Sequence, residues 1–246
     1  IQSSLANSIS YENYRNTINT LLKEGKSTGH EQSEALTHYS DLNVTRMNRL
    51  DKTMTVADEF AEQLKDIKGN YLWLVISEGW CGDAAQLVPI FHKMSELSPN
   101  IEMTIALRDD NEALMNLFLT NGARSIPKLI IIDKNTLEVL GDFGPRPQGA
   151  KQLILDYKAE HGVVDETAKA NLQLWYLHDK GLSTQKEIMA VMAAAWPKRP
   201  MDATTPGCKT PATSASVTAP LAGSTLAQRV TRAQPCCTVN HNVACP

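Results

Sequence analysis

The residues best suited to chemistry in this chain are residues 80–85, Trp-Cys-Gly-Asp-Ala-Ala. Cys81 comes after a short apolar run, residues 71–76, which predicts a buried strand that ends in a turn at residues 77–79. A helix is predicted to begin just after the cysteine. Free backbone N–H groups and the helix dipole at such a position lower the pKa of a thiol from about 8.5 to between roughly 3.5 and 7.5. The position therefore favours a thiolate, the form that attacks disulfides.

The sequence alone also allows an inert cysteine at this position. A lone intracellular cysteine is more often buried as a small hydrophobe than reactive. Asp83 opposes the thiolate, because a nearby carboxylate disfavours a second negative charge, unless it caps the helix instead. Trp80 has an equally simple alternative role in core packing. Both interpretations of Cys81 stay open at this level.

Further motifs follow the cysteine in a characteristic order. Pro89 lies eight residues after it, Ile126-Pro127 precedes an apolar run at residues 129–132, and Gly144 comes after the next predicted strand. In this order the motifs resemble the thioredoxin family, in which a proline kinks the active-site helix and a cis-proline loop leads into a strand. The resemblance covers roughly residues 68–160. The helical segments on either side resemble those of a group of bacterial thioredoxin-like proteins with extended termini.

The resemblance implies a thioredoxin fold of the α/β class, with a central mixed β-sheet flanked by helices. It implies that Cys81 is the catalytic residue and that its sulfur is exposed to solvent close to Ile126-Pro127. That dipeptide would offer a backbone edge to an extended peptide or a glutathione-like ligand. The residues expected to bind the substrate are Trp80, Gly82, Asp83, Ile126 and Pro127.

Two residues depart from the family pattern, and both departures bear on catalysis. Ala84 stands where the family has its resolving cysteine, and Val75 stands where it has a buried acid. In the ordinary mechanism the second thiol cleaves the mixed disulfide that the first thiol forms. The chain therefore predicts a redox protein that works through one cysteine and an external small thiol. The alternative is a non-catalytic module that binds a peptide or partner protein; a peroxidase is disfavoured, because the threonine-and-proline pattern of peroxiredoxins is absent.

The composition limits the classes of partner and the cellular compartment that we expect for this protein. The chain has 246 residues, 42% of them hydrophobic, and a net charge of −3, so it can bury a substantial core without disulfides. The absence of a basic cluster disfavours nucleic acid and anionic membranes as partners, and no apolar run approaches the roughly 20 residues that span a bilayer. Only one cysteine occurs in the first 207 residues, which predicts a reducing cytoplasm. The expected partners are a protein disulfide or a low-molecular-weight thiol.

The resemblance, the apolar periodicity and the composition together predict four segments. Residues 1–54 form an N-terminal helical extension, 55–160 the thioredoxin-like domain, 161–197 C-terminal helices and 198–246 a disordered tail. Thr55 with Asp58 predicts a capping box for a helix ahead of the first strand. The predicted strands cover residues 71–76, 101–107, 129–132 and 139–142. The predicted helices cover residues 9–24, 33–50, 84–97, 111–119, 148–160, 165–179 and 184–195.

The last segment differs sharply in composition from the rest of the chain. Residues 201–246 contain no Phe, Tyr, Trp, Ile or Glu, which predicts disorder and also fits a segment that is not native protein. The segment holds four cysteines, of which Cys236, Cys237 and Cys245, with His241, are enough donors for zinc but lack the usual ligand-pair spacing. We therefore predict neither a metal site nor a cofactor.

Overall fold

A computed structural model describes residues 1–195 of the chain. Its helices are α1 (Gln2–Ala6), α2 (Tyr11–Lys23), α3 (Glu34–Thr53), α4 (Asp58–Lys65), α5 (Gly82–Ser95), α6 (Glu112–Met115), α7 (Gln148–His161), α8 (Glu166–Asp179) and α9 (Leu182–Ala195). Its strands are β1 (Tyr71–Ser77), β2 (Ile101–Leu107), β3 (Lys128–Asp133) and β4 (Val139–Phe143). The predicted tail, with its four cysteines and His241, lies outside the described residues.

The four strands form one mixed sheet in the order β2-β1-β3-β4. β1 pairs with β2 in parallel and with β3 antiparallel, and β3 pairs with β4 antiparallel. β1 is buried along its whole length, as a strand with a neighbour on each side and helices over the sheet must be. The mixed sheet that the resemblance implied is confirmed. The loop that carries the cysteine follows the carboxyl end of β1.

The N-terminal extension covers the outer edge of β2. The backbone groups of Ile9 and Ile105 exchange two hydrogen bonds of 2.8 Å, which pair part of an edge that would otherwise face water. Ser10 then caps α2 by accepting a hydrogen bond from the backbone N–H of Asn13. The helix therefore begins at Tyr11, and the predicted start at residue 9 belongs to the bridge.

Two predicted helix signals are wrong. Thr55 makes no capping box, because α4 begins after Ala57 and Gln185 of α9 accepts the Ala57 N–H at 2.8 Å. The helix predicted over residues 111–119 shortens to α6, and Leu117 beyond it is 68% exposed. Of the residues after α6, Phe118 packs against the core, and the stretch ends in tighter turns and a small bridge.

A single hydrophobic cluster joins the sheet to both extensions. The helices after the sheet join it through Leu172 and Tyr176 of α8 and through Ile188 and Met192 of α9. Among residues 1–195, every helix is too short or too polar to cross a lipid bilayer.

Candidate active site

Cys81 is the N-cap residue of α5. Its Sγ accepts a hydrogen bond from the backbone N–H of Ala84 at 3.5 Å, and its carbonyl accepts the N–H of Ala85 at 3.1 Å. The thiol thus takes the position that Ser or Asp usually occupies at a helix start. An N–H donor at the sulfur stabilises the thiolate. The structure places the cysteine at the helix start, as predicted, although the helix begins two residues earlier than expected.

The loop before β3 lies against the same sulfur. The thiol of Cys81 donates a hydrogen bond to the carbonyl oxygen of Ile126 at 3.3 Å, and the Ile126–Pro127 peptide bond is cis. This contact stabilises the protonated thiol, whereas the N–H of Ala84 stabilises the thiolate, so these contacts favour opposite protonation states. Gly144 lies behind the loop with a φ of 121°, and a Cβ there would lie 2.3 Å from the carbonyl oxygen of Pro127. Only glycine therefore permits this approach.

The sulfur is not presented to solvent, which corrects the expectation from the sequence. Cys81 is 1% exposed, and Trp80 beside it is also buried. We call residues 78–82 the cysteine loop. The N-terminal extension covers it through two hydrogen bonds to Gly79, whose N–H donates to Thr28 Oγ1 at 2.8 Å and whose carbonyl accepts from Asn43 Nδ2 at 2.9 Å. Segments far away in sequence thus bury the loop.

Asp83 does not cap the helix. It is buried, forms an ion pair of 2.7 Å with Arg146, and accepts a hydrogen bond of 2.9 Å from the hydroxyl of Tyr176 in α8. Burial, followed by the charge of Asp83, raises the pKa of Tyr176 well above its ordinary value. Tyr176 of α8 and Arg146 of the loop before α7 therefore hold the first turn of α5 through the buried charge of Asp83.

The indole ring of Trp80 makes a cation–π contact with Arg108. The guanidinium carbon of Arg108 lies 4.8 Å from the ring centroid, and Arg108 is held by an ion pair of 2.7 Å with Asp109. A Cβ built on Gly29 would lie 3.5 Å from the indole nitrogen, so the N-terminal extension also reaches this side chain. Trp80 is thus adjacent to the cysteine, as predicted, but its flat surface is covered.

Sequence reasoning missed Glu78, which it treated as a turn residue. The side chain is fully buried, and its Oε1 accepts the backbone N–H of Asp109 at 3.0 Å. Burial raises the pKa of Glu78 from its ordinary value of 4.5 to about 7. Val75, at the family's acid position, is buried and apolar. An acid directly after a fully apolar strand and three residues before Cys81 is the signal that could have identified it.

A cavity of about 280 Å³ lies next to the cysteine loop, between α3 and α8. Gly82 and Asp83 form its floor, and Arg46, Arg146 and Lys169 supply positive charge to its walls. Sequence reasoning missed these three cations, because they come from three separate elements. Within residues 1–195, no group of three or more His, Cys, Asp or Glu side chains could hold a metal ion.

Comparisons with known proteins complete the description of the site. No curated protein matches the chain. A solved Pseudomonas aeruginosa protein of unknown function is 22% identical over 72% of this chain and 96% of its own, with a TM-score of 0.45. An HIV epitope scaffold is 23% identical over 71% of this chain and 96% of its own, also with a TM-score of 0.45. The family model described as thioredoxin matches residues 29–161, which is 133 of the 246 residues. The chain, with its mixed α/β sheet and its cysteine at the start of α5, therefore belongs to the thioredoxin family.

Proposed function

We propose that the protein carries out thiol–disulfide exchange through Cys81 alone. The observation that carries this proposal is the position of Sγ, which accepts an N–H at the start of α5 and lies 3.3 Å from the carbonyl that precedes Pro127. The first contact stabilises the attacking thiolate. The second places the sulfur beside a backbone edge that an extended substrate can pair with.

The exchange requires two external species, a protein disulfide and a small thiol. The Cys81 thiolate attacks one sulfur of the disulfide, so that a new S–S bond forms, the old one breaks and the other substrate sulfur leaves as a thiolate that takes up a proton. Deprotonation also removes the donor to Ile126, whose carbonyl then becomes available to an N–H of the substrate. Ala84 carries no thiol, so two molecules of the small thiol must complete the cycle and leave as its disulfide.

The burial of Cys81 sets a condition on this chemistry. The cysteine loop must separate from the extensions before a disulfide can reach Sγ, and the two hydrogen bonds on Gly79 are among the contacts that break. The observed exchange rate would then be the intrinsic rate multiplied by the population of the open loop. We expect the folded protein to react more slowly than its unfolded chain.

A second candidate function is favoured by the same burial. A thioredoxin-fold module that only binds a peptide or partner protein needs no accessible sulfur, and Cys81 at 1% exposure fits the role of a packed small hydrophobe. The contact of Arg108 with the Trp80 ring does not distinguish the two functions, because it would limit peptide binding and catalysis alike. Location in the cytoplasm, and the absence of nucleic-acid and membrane partners, stay predictions.

The reactivity of Cys81 separates the two functions. In a full-length variant with the other four cysteines changed to serine, we expect oxidised glutathione to form a mixed disulfide at Cys81, detected by mass spectrometry. The pH dependence of thiol alkylation should give a pKa near or below about 7. The same chain with Cys81→Ser is the matched control and should not react. A pKa near or above about 8.5 without exchange would leave the binding module as the function.

A second experiment asks whether only the resolving step is missing. Ala84→Cys places a thiol one helical turn after Cys81, whose Sγ already contacts the backbone of residue 84. We expect this variant to reduce insulin disulfides with a dithiol reductant, and the parent chain to do so at least tenfold more slowly. A variant that stays inactive, although Cys81 still forms mixed disulfides, would show that the surface around Pro127 does not accept a protein substrate.

A further inference from the structure

The cavity beside Gly82 has no role in the exchange chemistry described so far. At about 280 Å³ it lies just below the roughly 300–1,000 Å³ of typical small-molecule sites. Its walls come from α3 and α8, the helices of the two extensions, and its floor is the first turn of α5. A space of this size suits a small molecule better than a segment of a protein.

The charged side chains around the cavity leave one cation without a matching anion. Lys169 pairs with Glu166 at 2.8 Å, and Arg146 pairs with Asp83. Arg46 instead donates to the neutral amide oxygen of Asn43 at 2.7 Å, and among residues 1–195 no carboxylate lies within ion-pair distance of it. Burial lowers the pKa of Arg46, and the charge of Asp83, which is already paired with Arg146, opposes this shift only in part.

Two donors converge beside Gly82. A Cβ built on this glycine would lie 3.6 Å from Arg46 Nη1 and 3.7 Å from Gln173 Nε2. The orientation of the Gln173 amide follows from its neighbours. Arg49 can only donate, so Gln86 turns its oxygen towards Arg49 at 3.5 Å and its nitrogen towards Gln173 Oε1 at 2.7 Å. The NH₂ group of Gln173 is therefore the end that faces the cavity.

We infer that this cavity binds a carboxylate of the small thiol that completes the exchange at Cys81, with Arg46 and Gln173 as its ligands. An acceptor-only anion is the group that a guanidinium and an amide NH₂ recognise together. Gly82 is the neighbour of Cys81, with about 3.8 Å between their Cα atoms, so a molecule held there lies beside the residue that reacts when the cysteine loop opens. The inference rests on the proposed function and narrows its thiol to an anionic one.

The bound thiol performs a defined step. Its thiolate attacks Sγ of Cys81 in the mixed disulfide, the bond to the substrate breaks, and the substrate sulfur leaves as a thiolate and is protonated. A second thiolate then attacks the small-molecule sulfur, releases Cys81 as a thiolate and leaves as the symmetrical disulfide. One substrate disulfide is reduced and two small thiols are oxidised, so the electrons balance without another oxidant or reductant.

The binding test uses a molecule that cannot exchange. S-methylglutathione carries two carboxylates but no thiol, and its binding to the full-length Cys81→Ser protein is measured by calorimetry. We expect Arg46→Gln to weaken binding at least tenfold, Gln173→Glu to abolish it, and Lys52→Gln, an exposed change of equal charge on α3, to leave it unchanged. Esterified S-methylglutathione should not bind. Absence of binding, or equal weakening by Arg46→Gln and Lys52→Gln, would overturn the inference.

The kinetic test separates this inference from the function on which it rests. Reduction of a mixed disulfide at Cys81 is followed with glutathione, which is anionic, and with 2-mercaptoethanol, which is neutral. Arg46→Gln should slow glutathione at least tenfold and change 2-mercaptoethanol less than twofold. Equal slowing of both thiols would overturn the carboxylate site. Binding of S-methylglutathione by a protein whose Cys81 exchanges with neither thiol would instead overturn the proposed function and leave the carboxylate site in place.

Discussion

The charged side chains near the two ends of β1 differ in their exposure to solvent. At its carboxyl end Glu78 and Asp83 are buried under the two extensions. At its amino end an open groove is lined by polar side chains, and the ion pair between Lys134 and Glu102 leaves these residues' side chains 51% and 58% exposed. The same sheet therefore has one end where charges are removed from water and one where they remain hydrated.

This difference shows at which end of the sheet the extensions contribute most to the free energy of unfolding. A charge removed from water destabilises the fold unless ion pairs and hydrogen bonds compensate it. At the carboxyl end the compensating groups come from the extensions and from neighbouring loops, as Tyr176 and Arg146 do for Asp83. The largest effects of substitution and of pH should therefore lie around the cysteine loop, and the smallest at the groove.

Loss of Asp83 should have the largest effect. Asp83→Ala leaves the guanidinium of Arg146 and the hydroxyl of Tyr176 without the carboxylate that both contact. Removal of one partner from a buried ion pair typically costs about 3–5 kcal/mol, so the free energy of unfolding should fall by that amount in urea titrations. Asp110→Ala is the matched control, because Asp110 pairs with His30 where both side chains are exposed. Equal losses in the two variants would abolish the distinction between buried and hydrated charges.

Glu78 should give the cysteine loop a pH dependence. Its pKa is about 7 in the folded protein and near its ordinary 4.5 in the unfolded chain, so folding favours the protonated acid. The contribution of Glu78 to the free energy of unfolding is therefore complete below pH 4.5 and is lost as the pH rises to about 7. The total loss over this window is about 3 kcal/mol.

The test compares Glu78→Gln with the parent chain by urea unfolding between pH 4 and about pH 8. The variant cannot ionise, so its stability relative to the parent should rise by about 3 kcal/mol across the window and then stay constant. Glu102→Gln, in the groove, removes an exposed carboxylate and should show no such rise. A flat difference for Glu78→Gln would mean that water reaches this carboxylate in the folded protein.

Gly144→Ala should have an intermediate effect, located at the loop opposite the cysteine. The new Cβ would lie 2.3 Å from the carbonyl oxygen of Pro127, in a backbone conformation that side chains rarely adopt. We expect a loss of about 1–3 kcal/mol in stability and slower exchange at Cys81. Gly162→Ala is the control, because its φ of 77° is also positive but no atom lies within 4 Å of its Cβ. Its stability should fall by about 1 kcal/mol with exchange unchanged.

The sequence predicted those parts of the fold whose signals are local. The apolar run of β1 forms a buried strand, and the helices predicted over residues 9–24 and 33–50 form with ends that differ by only a few residues. The capping box at Thr55 failed because Gln185, about 130 residues away, satisfies the backbone there instead. A hydrogen-bond partner that comes from a distant part of the chain cannot be predicted from the residues around the helix start.

The same distinction applies to the site. The position of Cys81 at a helix start and beside Ile126 follows from motifs that the family shares. The hydrogen bonds that hold the N-terminal extension over its loop come from Thr28 and Asn43, which no motif around the cysteine encodes. The raised pKa of Glu78 likewise comes from its burial in the folded protein, which converts a turn residue into a buried acid.

Lys134→Ala should change the free energy of unfolding least, and it tests the difference between the two ends of β1. Its ion pair with Glu102 joins two side chains that are more than half exposed, so water already solvates both charges and salt screens them. We expect a loss of at most about 1 kcal/mol in the free energy of unfolding, and less in about 1 M NaCl. Arg124→Ala, which removes a comparable exposed pair with Glu112, should behave alike.

The loss from Asp83→Ala should persist in the same salt, because a buried pair is screened far less. If Lys134→Ala proved as costly and as insensitive to salt as Asp83→Ala, the groove would be energetically equivalent to the cysteine loop, and burial by the extensions would not explain their difference.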